Sequence, residues 1–165
     1  MQKFVYQYAT KVYFGEGSAK EHVADAVSEY GENVMLAYGG GSVIDCCKIV
    51  AAQAKTDKDL WEMEMTEHQF PTDVLPMGAI VTASGTGAEM NGGAVITNEE
   101  KVIKAGMAAA APRFAILDPS YTASVPRMQV ISGAFDTLSY AMETYFGNSD
   151  QDNVCLLYTS DAADD

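Results

Sequence analysis

The chain has 165 residues, 48% of them hydrophobic and 20% charged, and a formal net charge of −13. That is the composition of one ordinary folded domain with its own core, and its acidic balance argues against nucleic-acid binding, because such a surface repels a phosphate backbone. No apolar run reaches the roughly 18 residues of a membrane span, the opening MQKFVYQYATKVYF lacks the apolar stretch of a signal peptide, and three cysteines, two of them adjacent (Cys46, Cys47), fit a reduced cytoplasmic protein.

Residues 2–14 read as extended, since Phe4, Tyr6 and Tyr8 alternate before Val12-Tyr13-Phe14. Gly15-Glu16-Gly17 breaks the run. Ser18 and Glu21 then form a capping-box pattern that opens an amphipathic helix to about Tyr30, with Gly31 as its C-terminal cap. Residues 33–38 (NVMLAY) predict a buried strand. Gly39-Gly40-Gly41-Ser42 follows at once, and Ser42 is placed to cap a second helix, SVIDCCKIVAAQA. Residues 55–73 are polar and read as irregular around Trp61. Residues 75–82 (LPMGAIVT) predict another buried strand, followed by the tight loop Ser84-Gly85-Thr86-Gly87. A hairpin is expected from Val95-Ile96-Thr97 to Val102-Ile103-Lys104 across a charged turn. Phe114–Leu117 is a last strand, and Pro126 opens a long helix through Phe146. The order of helix, strand, glycine turn and helix predicts an α/β cofactor domain. The final residues, 155–165 (CLLYTSDAADD), lack any sustained period and read as foreign to the fold.

Both glycine loops have a physical use. Without Cβ atoms the backbone turns sharply and a phosphate can approach closely. A helix N-terminus then offers free N–H groups and a favourable dipole. Ser42 can donate to a phosphate oxygen, and Asp45 can face the ribose or nicotinamide end. The pattern is neither G-x-G-x-x-G nor a phosphate loop with Gly-Lys-Ser/Thr, which argues against an ATPase. A ligand-free βα turn is the plain alternative. The second loop, Thr82-Ala-Ser-Gly-Thr86-Gly-Ala-Glu89-Met-Asn91, mixes hydroxyls, glycines and one acid after a buried strand.

This second loop resembles the TxxxTGxExN loop of the iron-containing alcohol dehydrogenases. GGGSVIDCCK resembles that family's pyrophosphate loop, and FAILDPSYTASVP the stretch before its metal helix. Asp118, Pro126, Gly133, Asp136, Leu138 and Glu143 stand at the family's signature intervals. The likeness covers residues 1 to about 148 and points to the butanol dehydrogenase group. The related zinc-dependent glycerol dehydrogenase group shares the fold but fits TASGTGAEMN and DPSYTASVP less well.

The resemblance implies the Rossmann-like α/β N-terminal domain of the dehydroquinate synthase-like fold, incomplete, with the C-terminal helical domain mostly absent. It assigns residues 1–127 to a partial dinucleotide-binding domain, 128–148 to the first helix of the helical domain, and 149–165 to a tail. It implies that Gly40, Gly41, Ser42 and Asp45 line the pyrophosphate and nicotinamide site. Thr82, Thr86 and Asn91 would contact the cofactor from the opposite wall. Lys104, with Lys101 as competitor, would hold a ribose or phosphate, and Tyr121 and Ser124 would complete the pocket. The cofactor implied is NADP or NAD. NADP is preferred because no acid follows Tyr38 to repel a 2′-phosphate. Asp136 matches the family's carboxylate ligand to Fe(II) or Zn. One helical turn on, where i and i+4 share a face, the family has a histidine ligand and this chain has Tyr140. His22 and His68 read as surface residues. Family members carry two GGGS-type loops. Here NVMLAYGGGS matches the approach to the first and GGGSVIDCCKIV the exit from the second, which implies an internal join at 39–42 that removes roughly two βα units of ~30 residues each. The implied function is hydride transfer between NAD(P)H and a small primary alcohol or aldehyde, in a homodimer when intact, inactive in this form. The alternative is a non-enzymatic nucleotide-binding remnant or a mis-assembled fragment.

Overall fold

The structure, a computed structural model, describes residues 8–71 and 73–146. The expected extended residues 2–7 and the tail from 147 onward, including the segment read as foreign, lie outside them. Strands β1 (Lys11–Phe14), β2 (Met35–Gly39), β3 (Met77–Val81) and β6 (Phe114–Leu117) form one four-stranded sheet in the order β1-β6-β3-β2. Every pairing in it is parallel, with Met35 to Gly39 in register with Met77 to Val81. β4 (Gly93–Asn98) and β5 (Ile103–Ala108) pair antiparallel as a separate hairpin. Four α-helices, α1 (Ser18–Ser28), α2 (Gly41–Gln53), α3 (Leu60–Met65) and α4 (Arg127–Phe146), and two short 3-10 turns, Ala88–Met90 and Pro119–Thr122, complete the described chain.

The sheet is sandwiched because β3 alternates its side chains between two apolar clusters. Met77, Ala79 and Val81 pack with Ile44 of α2 and with Ala37 and Ala88. Ile80 packs on the other face with Phe114, Ile116, and Ala19 and Ala26 of α1. All five β3 residues are buried, as the unbroken apolar run predicted. Gly78 leaves the space that the Phe114 ring occupies; a Cβ there would meet the ring at 2.1 Å. A third cluster, around Ala52, Leu60 and Met107, ties the end of α2 to α3 and the hairpin.

Five local expectations are corrected. The strand expected to be buried in residues 33–38 is half-exposed, with Leu36 and Tyr38 open to solvent, because β2 lies at the edge of the sheet. Ser18 does not cap α1: the cap position is Gly17, at φ 85°, and Ser18 lies buried inside the first turn. The capping acceptor comes from across the fold, since Asp118 Oδ2 accepts from the N–H groups of Gly17 (3.0 Å) and Ala19 (3.3 Å). Nor does Ser42 cap α2. Extended Gly40 stands at that position with no side-chain bond, and Ser42 sits exposed in the first turn. The stretch 55–73 is not wholly irregular. Asp59 Oδ1 accepts from Glu62 N at 3.0 Å and starts α3, whose Leu60 and Met63 are buried. α1 ends earlier than expected, with Glu29 at its C-cap, and Gly31 turns left-handed two residues beyond it at φ 96°. The long helix after Pro126 holds.

Candidate functional site

The two glycine loops meet at the C-terminal ends of adjacent parallel strands, the place where α/β sheets bind ligands. Thr82 N donates to Gly39 O at 3.0 Å and zips the ends of β3 and β2 together. Ala83 Cβ lies 3.5 Å from the position a Cβ on Gly40 would take, and Thr86 Oγ1 lies 3.1 Å from that of Gly41. The second loop therefore roofs the start of α2, where the leading N–H groups have no partner within the helix. Its other side faces α4. A Cβ on Gly133 would stand 2.4 Å from the Ser84 carbonyl oxygen, and Asp136 Oδ2 is 3.4 Å from the Cβ position of Gly85. Residues 84–87 are thus held between Gly41 of α2 and the Gly133–Asp136 turn of α4.

Lysine 48, which the sequence reading passed over, is the hub beneath this contact. It is 2% exposed, on the buried stripe of α2 with Ile44, Ala51 and Ala52. Its ammonium donates to Asp45 Oδ1 (3.2 Å), Asn91 Oδ1 (2.9 Å) and Gly93 O (2.6 Å), which uses all three of its protons. Burial pushes its pKa down, and the carboxylates of Asp45 and Glu89 push it back up. Asp45 Oδ2 accepts from Val95 N at 3.0 Å, so both oxygens of that carboxylate have internal partners. Asn91 is likewise engaged: its Oδ1 accepts from Gly93 N at 3.1 Å and its Nδ2 donates to Gly87 O at 3.4 Å. The signal available in the sequence was the spacing. A lysine four residues after Ile44 and three before Ala51 falls on the apolar face and needs buried partners.

The remaining expected residues divide. Tyr121 stands edge-on to Tyr38, with ring centroids 5.5 Å apart at 85°, directly before the first glycine loop. Ser124 is exposed in the link between that turn and α4. Lys104 lies on β5 opposite Thr97, four residues along the strand from Ala108, which pairs with Gly93 beside Asn91. It sits along the hairpin rather than at the loop contact. Lys101 pairs with Glu62. Asp136 and Tyr140 are both half-buried on α4. His22 is half-buried, stacked on Tyr13 at 4.8 Å, and His68 is exposed. Among the described residues no three histidine, cysteine or carboxylate side chains come together as a metal site, and no helix is long and apolar enough to cross a membrane. Cys46 and Cys47 are free thiols.

The family model for iron-containing alcohol dehydrogenase matches residues 17–119. The chain is 46% identical over 127 residues to a probable NADH-dependent butanol dehydrogenase 1 of Bacillus subtilis, a match that covers 73% of this chain and 33% of the relative. It is 43% identical over 116 residues to NADH-dependent butanol dehydrogenase A of Clostridium acetobutylicum, covering 69% of this chain and 30% of that one. The crystal structure of NADH-dependent butanol dehydrogenase A from Thermotoga maritima superposes with a TM-score of 0.71 at 31% identity, over 88% of this chain and 52% of that one. Sulfoacetaldehyde reductase from Bifidobacterium kashiwanohense, solved with NAD+, shares the fold with a TM-score of 0.77 at 23% identity, over 88% of this chain and 54% of that one. The chain spans about a third of the length of the curated relatives it matches.

Proposed function

The chain belongs to the iron-containing alcohol dehydrogenase family, and from that premise we propose that its described residues form the nucleotide-binding part of an NAD(P)H-linked alcohol/aldehyde oxidoreductase. One observation carries the reading: the second loop roofs the N-terminus of α2, with Thr86 Oγ1 3.1 Å from the Cβ position of Gly41. Glycines 40 and 41 would let a pyrophosphate approach the α2 amides and dipole. Ser42, Thr82 and Thr86 would supply hydroxyl donors, and Tyr121 would close the wall beside Tyr38. Asp45 and Asn91 would act through the Lys48 lattice that holds the two loops at their spacing. Lys104, along the hairpin, would hold a ribose or phosphate, and Ser124 would help complete the pocket. The substrate in the whole protein would be a small primary alcohol or aldehyde, as the names of the butanol dehydrogenase relatives indicate.

The lack of an acid after Tyr38 favours NADPH, while the relatives of 41–46% identity are named NADH-dependent. Parallel titrations with NADH and NADPH, read by nucleotide fluorescence and by quenching of Trp61, separate the two. Saturation by neither would remove the cofactor reading.

A second reading, a nucleotide-binding remnant without turnover, is favoured by the donor set on α4. Catalytic iron or zinc in this family would supply a Lewis acid to the alcohol oxygen. Asp136 and Tyr140 do not fit such an ion by themselves, since one carboxylate cannot fix a divalent metal and a phenol, whose ordinary pKa is about 10, is a poor neutral-pH ligand for Fe(II). We therefore propose that this chain binds nucleotide and does not turn over alone. Metal analysis with an aldehyde-reduction assay decides: one equivalent of iron or zinc with steady NAD(P)H consumption would overturn it. The join at 39–42 is likewise our reading of the resemblance, tested by continuous sequencing across codons 39–42.

A further inference from the structure

The C-terminal end of β6 carries a carboxylate that the cofactor reading does not use. Asp118 is 2% exposed, and its two oxygens serve different elements. Oδ2 accepts from Gly17 N and Ala19 N at the start of α1. Oδ1 accepts from Ser120 N at 3.1 Å and from Ser120 Oγ at 2.7 Å, inside the 3-10 turn Pro119–Thr122. The same residue's carbonyl accepts from Tyr121 N at 3.1 Å, and Thr122 Oγ1 closes the turn on Pro119 O at 2.9 Å. The turn is therefore anchored on its inner side by one buried side chain, with Pro119 limiting the first φ. The turn carries exposed Tyr121, whose ring packs at 85° to that of Tyr38.

We infer that Asp118 is a positioning residue: by clamping the 119–122 turn to the start of α1, it sets the Tyr121 ring against Tyr38 at the mouth of the first glycine loop. The geometry has a clear chemical requirement. Four donors converge on one carboxylate, and only an acceptor with two equivalent oxygens satisfies them all; an amide would turn an N–H₂ group toward one pair of donors. The Ser120 side chain, the first of these partners, holds the carboxyl below its usual range, so it stays an acceptor across the neutral range. Any effect on cofactor affinity rests on the proposed nucleotide site; the placement of Tyr121 does not.

The test uses the full chain with ring-labelled tyrosine. The Tyr38 ring resonance, displaced by the ring current of Tyr121, is assigned as the signal changed by Tyr121→Leu. Asp118→Asn is expected to erase that displacement. Ser120→Ala removes one clamp bond, leaves the cap of α1 in place, and is expected to reduce the displacement, which decides the matter should Asp118→Asn fail to fold. Asp118→Asn is also expected to weaken NADH binding about fivefold, with no further loss when Tyr121→Leu is added, because two residues acting through one contact are not additive. An unchanged Tyr38 signal in Ser120→Ala and Asp118→Asn would overturn the positioning role, and so would additive losses. If the parent chain binds no NADH, the cofactor reading fails while the ring signals still decide what Asp118 does.

Discussion

The loops around α2 and the helix α4 lie against each other yet are built on opposite terms. Around α2 the polar groups are enclosed and paired: Lys48 spends its three protons on Asp45, Asn91 and Gly93, over a core of Ile44, Ala79 and Val81. Along α4 the apolar groups face outward, with Met128 72%, Phe135 68% and Phe146 73% exposed. The Gly133–Asp136 turn is pressed to the second loop. The α2 region is fixed by directional bonds, while α4 approaches the second loop closely at Gly133 and exposes apolar side chains along its length.

The sharpest way to break this contrast is to remove the Lys48 charge. Lys48→Met leaves Asp45 half-buried without its cation, and losing one partner of a buried pair costs roughly 3–5 kcal/mol. Thermal or urea unfolding should show it, with part of the loss recovered in Lys48→Met/Asp45→Asn; no destabilisation would mean that the lattice is dispensable. Next in size is Gly133→Val. Its Cβ would collide with the Ser84 carbonyl, so α4 must lift off the loop, at about 1–3 kcal/mol as for other overpacked sites. Faster amide exchange in 84–87, with β3 still protected, is the expected pattern.

A smaller effect is expected at Glu64, on the α3 side of the α2 region. Its Oε2 accepts from Ala108 N at 2.6 Å, and its buried Oε1 has no partner among the described residues. Burial raises its pKa, so the folded state favours the protonated form. The sign follows: its stabilising contribution is present below the unfolded carboxyl pKa and is lost as pH rises through the folded value. Glu64→Gln should therefore raise the melting temperature near pH 7 and leave it little changed near pH 4. Equal shifts at both values would refute that account. The smallest effect belongs to α4. Phe135→Ser is expected to change stability by less than about 0.5 kcal/mol, since its side chain is already in water, while reducing the binding of a hydrophobic dye.

The sequence was most legible where pattern and packing agree. The unbroken apolar run in LPMGAIVT became the fully buried β3, and the helix that Pro126 opens became α4. Caps were misread where tertiary contacts outbid local ones. Ser18 and Glu21 have capping-box spacing, but Asp118, far along the chain, takes the amides at the start of α1. The site was legible as loops and not as a lattice. GGGS and TASGTG marked the two walls, but no spacing rule pairs Lys48 with Asn91, 43 residues on.

By itself, then, the sequence determined the family, the α/β order and the two glycine loops, because backbone conformation, apolar period and motif spacing are local properties. Tertiary structure alone decided that the second loop roofs α2, that Asp45 and Asn91 are tied to a buried lysine, and that Asp118 serves two elements at once. Those facts depend on which buried donors and acceptors come within hydrogen-bond reach, and burial makes every unpaired one costly.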